Sequence, residues 1–318
     1  MQRRGPSFTE RELSAWVKDA ERGSKTRPSN SWTEIRYPFA TQHLLRERYA
    51  HHSSGGVRVE RLLEDADSFA ADVARRHVKR PGTRMVTAAI NSVDWLEGVA
   101  QMPINQHLRL VGQVVWTGTS SLLVVVEAHV TSDPSSHTWQ SFGSGQFWEI
   151  AIDASSAQPV NVPPVIPDTS AERQLFSEAA EIRNLQKARR QQSETKTSDA
   201  SASSQPLHTM AWAHAQDQNA HGSIYGGHTL LHSFAAAQAC AQLHAGSTPV
   251  LPIKLVDAAF MQPHQIGTLV RYTAQVSNAS VQGANIYTWS HEAWPRTTAA
   301  DSRPFSRMHW VFKQNTAA

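Results

Sequence analysis

The chain has 318 residues, 40% hydrophobic and 18% charged, with 30 Lys and Arg against 27 Asp and Glu for a formal charge of +3. That length suits about two domains, the composition fits neither a disordered tail nor a coiled coil, and so small a charge does not argue for a nucleic-acid partner. The longest apolar run, Leu122 to Val126, is far short of the roughly 18 residues that cross a bilayer, so no membrane span is expected.

The N-terminal segment carries Arg3 and Arg4 but then Glu10, Glu12, Asp19 and Glu21, a poor match to an acid-free transit peptide. Thr9 and Glu12 stand at capping-box spacing, and Leu13, Trp16 and Val17 share a face, which predicts a short helix ending near Gly23. It would dock by its Trp16 face or serve as a partner-binding arm. From Val59 to His77 a longer stripe recurs at Leu62, Leu63, Ala66, Phe69, Ala70, Val73 and Ala74, the pattern of a core helix. Four runs of strand character follow: Val86 to Val93, Leu108 to Trp116, Leu122 to His129 and Phe147 to Ile152.

Pro159, Pro163, Pro164 and Pro167 then mark an extended connector, and Thr169 with Glu172 predicts the cap of a helix whose stripe is Leu175, Phe176, Ala179, Ile182 and Leu185. Ser193 to Gln205 has the composition of a flexible linker. Beyond it the pattern restarts, with a helix over about Gly227 to His244 and strands near Ile253 to Phe260, Thr268 to Val276, Asn285 to Glu292 and Arg307 to Lys313. Ser68-Phe69-Ala70-Ala71 recurs as Ser233-Phe234-Ala235-Ala236, Val93-Asp94 as Val256-Asp257, and Glu127-Ala128 as Glu292-Ala293, at offsets of 165, 163 and 165 residues. Near-constant spacing over three separated anchors indicates a duplication of one α+β unit.

Two places carry chemistry. Gln216 to Gly227 ends in a Gly226-Gly227 pair at a predicted helix start, where free N–H groups and the positive dipole end favour an oxyanion. Gly222 and Asn219 lie upstream on the same loop, and the Asn219 amide supplies both a donor and an acceptor for a water or a carbonyl. On the first helix, Asp67 falls at the margin of the apolar stripe, where partial desolvation makes a carboxylate a better base. Glu64 is the second candidate, and Asp65, about 200° round the helix, is expected to face solvent. The sixteen histidines show no metal-ligand spacing, and Cys240 is the single cysteine, so neither a metal, a cofactor nor an internal disulfide is expected.

The segments Gly55 to Ser68 and Asn219 to Gly227, supported by Leu108 to Val125, Pro163 to Phe176 and Ala258 to Gly267, resemble the acyl-CoA thioesterases with tandem hotdog domains, closest to their mitochondrial acyl-coenzyme A thioesterase 9 branch. The resemblance covers most of residues 40 to 318. It implies two hotdog domains, each an antiparallel sheet around a long helix: residues 37–154 and 206–318, with an N-terminal extension over 1–36 and a connector over 155–205. It also implies an acyl-CoA substrate without a cofactor, an oligomer of double-hotdog units, and a mitochondrial or otherwise cytoplasmic location.

Carried over residue by residue, the acid is Asp67 and the Asn is Asn219, with the Gly227 N–H meeting the oxyanion and Gly222 and Gly226 approaching the substrate. Arg84 and Lys254, at or near strand starts, are candidate partners for the CoA phosphates. At the repeat offset Asp67 matches His232 and Asn219 matches Ser54, so one site per chain follows. Glu60 stands where the family usually has Gly, narrowing the second position. A different reading remains open, a non-catalytic hotdog pair serving as a structural subunit of a larger assembly such as a mitochondrial ribonucleoprotein. Lys187, Arg189 and Arg190 motivate it. A dehydratase on the same fold is a third reading, less suited to the Asp67 and Asn219 pair than to His-centred chemistry.

Overall fold

The computed structural model describes residues 28–51, 55–135, 138–193, 205–219, 222–280, 283–294 and 304–315. The helix expected near Gly23 and nearly all of the Ser-rich linker lie outside the described residues. In chain order the elements are β1 (Thr33–Tyr37), α1 (His43–Tyr49), α2 (Val59–Val78), β2 (Thr83–Val93), α3 (Leu96–Gln101), β3 (His107–Thr117), β4 (Ser121–Thr131), β5 (Gln140–Asp153), α4 (Ser170–Ser193), β6 (Leu207–Trp212), α5 (Gly226–Ala245), β7 (Val250–Phe260), β8 (Leu269–Ser280), β9 (Gly283–Trp294) and β10 (Ser306–Gln314). The three helices predicted beyond Gly23 and all eight predicted strands are present, and β1, α1, α3 and β6 are additional.

Among the described residues all ten strands join one antiparallel sheet in the order β1-β3-β4-β5-β2-β7-β10-β9-β8-β6. Read outward from its middle, each side repeats one order: the strand after the long helix, then the last, the next-to-last, the third-from-last, and at the edge the strand before that helix. The repeat found in the residues is thus also a repeat of topology. The two sides meet where β2 pairs with β7, through Ala89 with Ala259, Ile90 with Ala258 and Val93 with Leu255.

Helices α2 and α5 pack side by side against one face of this sheet. Leu62, Leu63, Ala66, Phe69, Ala70, Val73 and Ala74 of α2 are buried, as are Leu230, Phe234, Ala236, Ala237 and Ala241 of α5. The small side chains of α5 let it sit close both to the sheet and to α2. On the opposite face α4 covers Trp148, Val115 and Leu123 with Ala179, and Arg183 stands over the rings of Trp116 at 5.2 Å and Trp148 at 5.6 Å, a cation–π arrangement. Its predicted capping box forms: the Thr169 hydroxyl accepts the Glu172 N–H at 3.1 Å, and the Glu172 carboxylate accepts the Thr169 N–H at 3.0 Å.

Asp65 departs from expectation. It is buried, not solvent-facing, because the segment bearing β1 and α1 folds over that side of α2. The hydroxyls of Tyr37, at 2.9 Å, and of Tyr49 both donate to Asp65 Oδ2. A carboxylate taken out of water needs such donors. Replacing Tyr49 by Phe removes one and is expected to lower unfolding free energy by about 1–3 kcal/mol, read as a lower urea midpoint.

Candidate functional site

The side chain of Asp67 points from α2 toward the N-terminus of α5. It is 3% exposed, and its Oδ2 accepts the Gly227 N–H at 2.6 Å. Helix α5 has no side-chain cap of its own at Tyr225, so a carboxylate from the other half of the chain satisfies one of the amides the helix leaves open. The positive end of the helix favours that anion. Asp67 Oδ1, equally buried, meets no hydrogen-bond partner. Burial dominates the acidity and pushes the Asp67 carboxyl up to about 6, the Thr87 hydroxyl and the Gly227 N–H hold it lower than burial alone would, and the Glu64 charge raises it further.

Close approach of the two helices depends on the glycine pair. A Cβ on Gly226 would stand 2.9 Å from Asp67 Oδ2, and one on Gly227 would stand 2.6 Å from the Glu64 carbonyl oxygen. Beside this contact Glu64 accepts the Tyr225 hydroxyl and pairs with Arg61 at 2.8 Å. The second carboxylate candidate is therefore already engaged, while Asp67 keeps one oxygen open.

Asn219 lies on the loop that runs into α5. Its N–H donates to Ser223 O at 2.7 Å, its Oδ1 accepts the Ser223 N–H at 3.2 Å, and Gly222, at φ +84°, closes the turn. The connection after β7 fixes this loop, since Ile224 N–H donates to His264 O at 3.1 Å and Ser223 bridges Gln265. Asp217 ties it to the helix, with its Oδ1 3.7 Å from His228 Nδ1.

The structure thus brings Asp67, Gly226 and Gly227 into one contact and hangs Asn219 and Gly222 on the adjoining loop. One expectation changes. The Gly227 N–H is not open to an oxyanion, because Asp67 occupies it, and one amide proton serves one strong acceptor. Arg84 and Lys254 are not brought in. Arg84 is three residues before Thr87 and Lys254 adjoins the buried Leu255, so alternation along their strands puts both on the sheet face away from α2 and α5.

No protein-family model matches the chain. The chloroplastic acyl-coenzyme A thioesterase 2 of Humulus lupulus is 27% identical over 276 residues, 77% of this chain and 62% of that protein. The mitochondrial acyl-coenzyme A thioesterase 10 of Mus musculus is 23% identical over 284 residues, 78% of this chain and 63% of that protein. To the uncharacterized acyl-CoA thioester hydrolase YkhA of Bacillus subtilis the chain is 32% identical over 137 residues, 42% of this chain and 73% of YkhA. The chain belongs to the acyl-CoA thioester hydrolase family. It spans less than two thirds of the length of the plant and mouse relatives. Among solved structures, an acyl-ACP thioesterase from Bacteroides thetaiotaomicron matches with a TM-score of 0.53 at 10% identity, over 90% of this chain and 99% of that one. A Lactobacillus plantarum protein assigned as an oleoyl thioesterase gives 0.56 at 7%, over 92% and 98%. These two likenesses concern the fold alone, the hotdog arrangement of antiparallel sheet and helix.

In this member of the acyl-CoA thioester hydrolase family the position related to Asp67 by the repeat is filled differently. His232 stacks on Tyr272 with centroids 5.2 Å apart and meets His228 edge-on at 4.5 Å. Burial, aided by the neighbouring His228, lowers its imidazole to about 4, so it is neutral near pH 7. Glu60 pairs with Arg58 at 2.7 Å. Two residues that sequence reasoning passed over adjoin Asp67: Thr87 on β2 and Glu149 on β5, with Thr87 Oγ1 and Glu149 Oε1 hydrogen-bonded at 2.9 Å. Glu149 had left a signal, an acid within the otherwise apolar run Phe147 to Ile152. Thr87 left none, because threonine is ordinary in strands.

Proposed function

We propose that the protein hydrolyses acyl-CoA thioesters to the free acid and CoA at one site, between α2 and the N-terminus of α5. The observation that carries this reading is the buried Asp67 carboxylate, tethered by one oxygen to the Gly227 N–H with the other oxygen open. Asp67 Oδ1 takes a proton from water as the water attacks the thioester carbonyl; the Asn219 amide orients that water. First-turn amides of α5 other than that of Gly227 meet the oxyanion, in the field of the helix end. The leaving thiolate belongs to a thiol of pKa about 8.5, so it departs without a strong general acid. Gly226 and Gly222 let substrate approach the backbone. Arg84 and Lys254 have no part in this reading.

The same reading takes residues 37–154 and 206–318 as two hotdog domains joined by 155–205, with 1–36 as an extension. The mirrored strand order and the match of 73% of YkhA to 42% of the chain support it. Each domain gives half of the site, so the site needs no second copy of the chain, whatever oligomer forms. A mitochondrial location has the support of the mitochondrial relatives. A purely structural role is disfavoured by Asp67 itself, since a buried carboxylate with an open oxygen opposes folding at neutral pH.

The test is release of free thiol from a series of acyl-CoA esters of graded chain length by the purified protein. No turnover with any of them would sink the reading. The pH profile checks the base: kcat/KM should be level above about pH 6 and fall tenfold per pH unit below it, as Asp67 becomes protonated.

A further inference from the structure

Two buried carboxyl groups meet beside Thr87, and the proposed hydrolysis uses one of them. Glu149 on β5 lies directly opposite Thr87 on β2, on the sheet face that packs against the helices. Its side chain is 0% exposed; Oε1 is hydrogen-bonded to Thr87 Oγ1 at 2.9 Å, and Oε2 meets no hydrogen-bond partner. Two ionised carboxylates in so dry a place would repel one another. Arg61 on α2 is engaged by Glu64, whose own charge acts on Asp67 as well. A pair of this kind shares its protons unequally. Asp67 has a backbone N–H and the positive end of α5 to hold a charge, whereas Glu149 has a single hydroxyl as its partner.

We infer that Glu149 is a positioning residue of this site: it holds a proton, donates it in a hydrogen bond to Thr87 Oγ1, and thereby turns the Thr87 hydroxyl toward Asp67. A hydroxyl can accept one hydrogen bond while donating another, so the chain Glu149 to Thr87 to Asp67 uses each proton once. Burial and the Asp67 charge both push the Glu149 carboxyl well above its ordinary range, in keeping with a neutral acid. The arrangement gives Asp67 Oδ2 a second hydrogen bond without a second negative charge beside it, and Oδ1 stays open to the water. It rests on the assignment of Asp67 as the base.

The test uses the whole chain with Glu149→Gln, Glu149→Leu, Thr87→Val and the double variant Thr87→Val/Glu149→Leu. Gln donates to Thr87 as the acid does, so kcat should stay within about threefold of the parent and the acid limb should stay in place. A limb displaced to lower pH would show that Glu149 is ionised and would overturn the inference. Glu149→Leu and Thr87→Val should each lower kcat about tenfold or more, and the double variant no further than the worse single one; multiplying losses would overturn it. Infrared difference spectra separate this question from turnover. A carbonyl stretch of a protonated carboxylic acid should appear in the parent near neutral pH and vanish in Glu149→Gln, and its absence from the parent would refute the proton assignment even where Asp67 is confirmed as the base. If Glu149→Leu fails to fold, Glu149→Gln and the spectra still decide.

Discussion

Replacing Asp67 by Asn should lower kcat for acyl-CoA hydrolysis by about 10²–10⁴-fold, the range that a positioned general base contributes, and should at the same time stabilise the fold. The two effects have one cause. In the unfolded chain the Asp67 carboxyl returns to its ordinary pKa near 3.8, while in the fold burial holds it at about 6. Between those values the folded state binds more protons than the unfolded one, so stability declines as pH rises from about 4 to about 6. Above pH 6 the ionised group opposes folding by about 3 kcal/mol. Asn keeps an oxygen to accept the Gly227 N–H and carries no charge, so most of that penalty is removed. Thermal melts at pH 7 should show the variant unfolding later than the parent, and melts at pH 4 should show them alike. Unchanged turnover would take Asp67 out of the mechanism; equal melting at pH 7 would mean that its carboxylate is not as poorly solvated as the structure shows.

The elements that could be read from residues alone are those whose own periodicity exceeds background. The stripe from Val59 to Ala74 needs no partner to be visible, and the duplicated anchors Ser68 to Ala71 and Ser233 to Ala236 showed that the second half repeats the first. Short elements have too few periods to register. Strand β1 has five residues, α3 has six, and α1 has seven without a side-chain cap. Missing β1 and α1 also caused the misreading of Asp65, for a helix face looks solvent-exposed until the chain that covers it is known. For the site the limit is different in kind. Asp67 is marked by its place on the stripe and Gly226-Gly227 by their pairing, but local spacing does not say that residues 160 apart share a hydrogen bond. That the two places belong to one site came from the family resemblance and the repeat. Neither says that the Gly227 N–H meets the Asp67 carboxylate, because which acceptor an amide finds is settled by helix packing.

The glycine pair offers a way to separate the chemistry from the packing, and the two positions should behave differently. An alanine at Gly226 puts its Cβ 2.9 Å from Asp67 Oδ2 and 3.2 Å from Oδ1, against the far end of a side chain that can swing aside. Swinging aside breaks the 2.6 Å bond to the Gly227 N–H. A displacement of about 1 Å in a reacting group is worth about 10²-fold in rate. The lost hydrogen bond, about 1–3 kcal/mol, is partly offset by the gain of about 1 kcal/mol when Ala replaces Gly within a helix. Gly226→Ala should therefore be folded, with a melting temperature near that of the parent and kcat reduced about 100-fold. An alanine at Gly227 meets the Glu64 carbonyl oxygen at 2.6 Å and its Cα at 3.0 Å, which are backbone atoms within α2 and have nowhere to turn. The helices must move apart along the contact that joins the two halves of the chain. Overpacking of that kind costs about 1–3 kcal/mol or more, and Gly227→Ala should lose both stability and activity. Should Gly226→Ala retain full activity while folded, the carboxylate would not need its tether to Gly227, and the positioning of Asp67 by the N-terminus of α5 would be wrong.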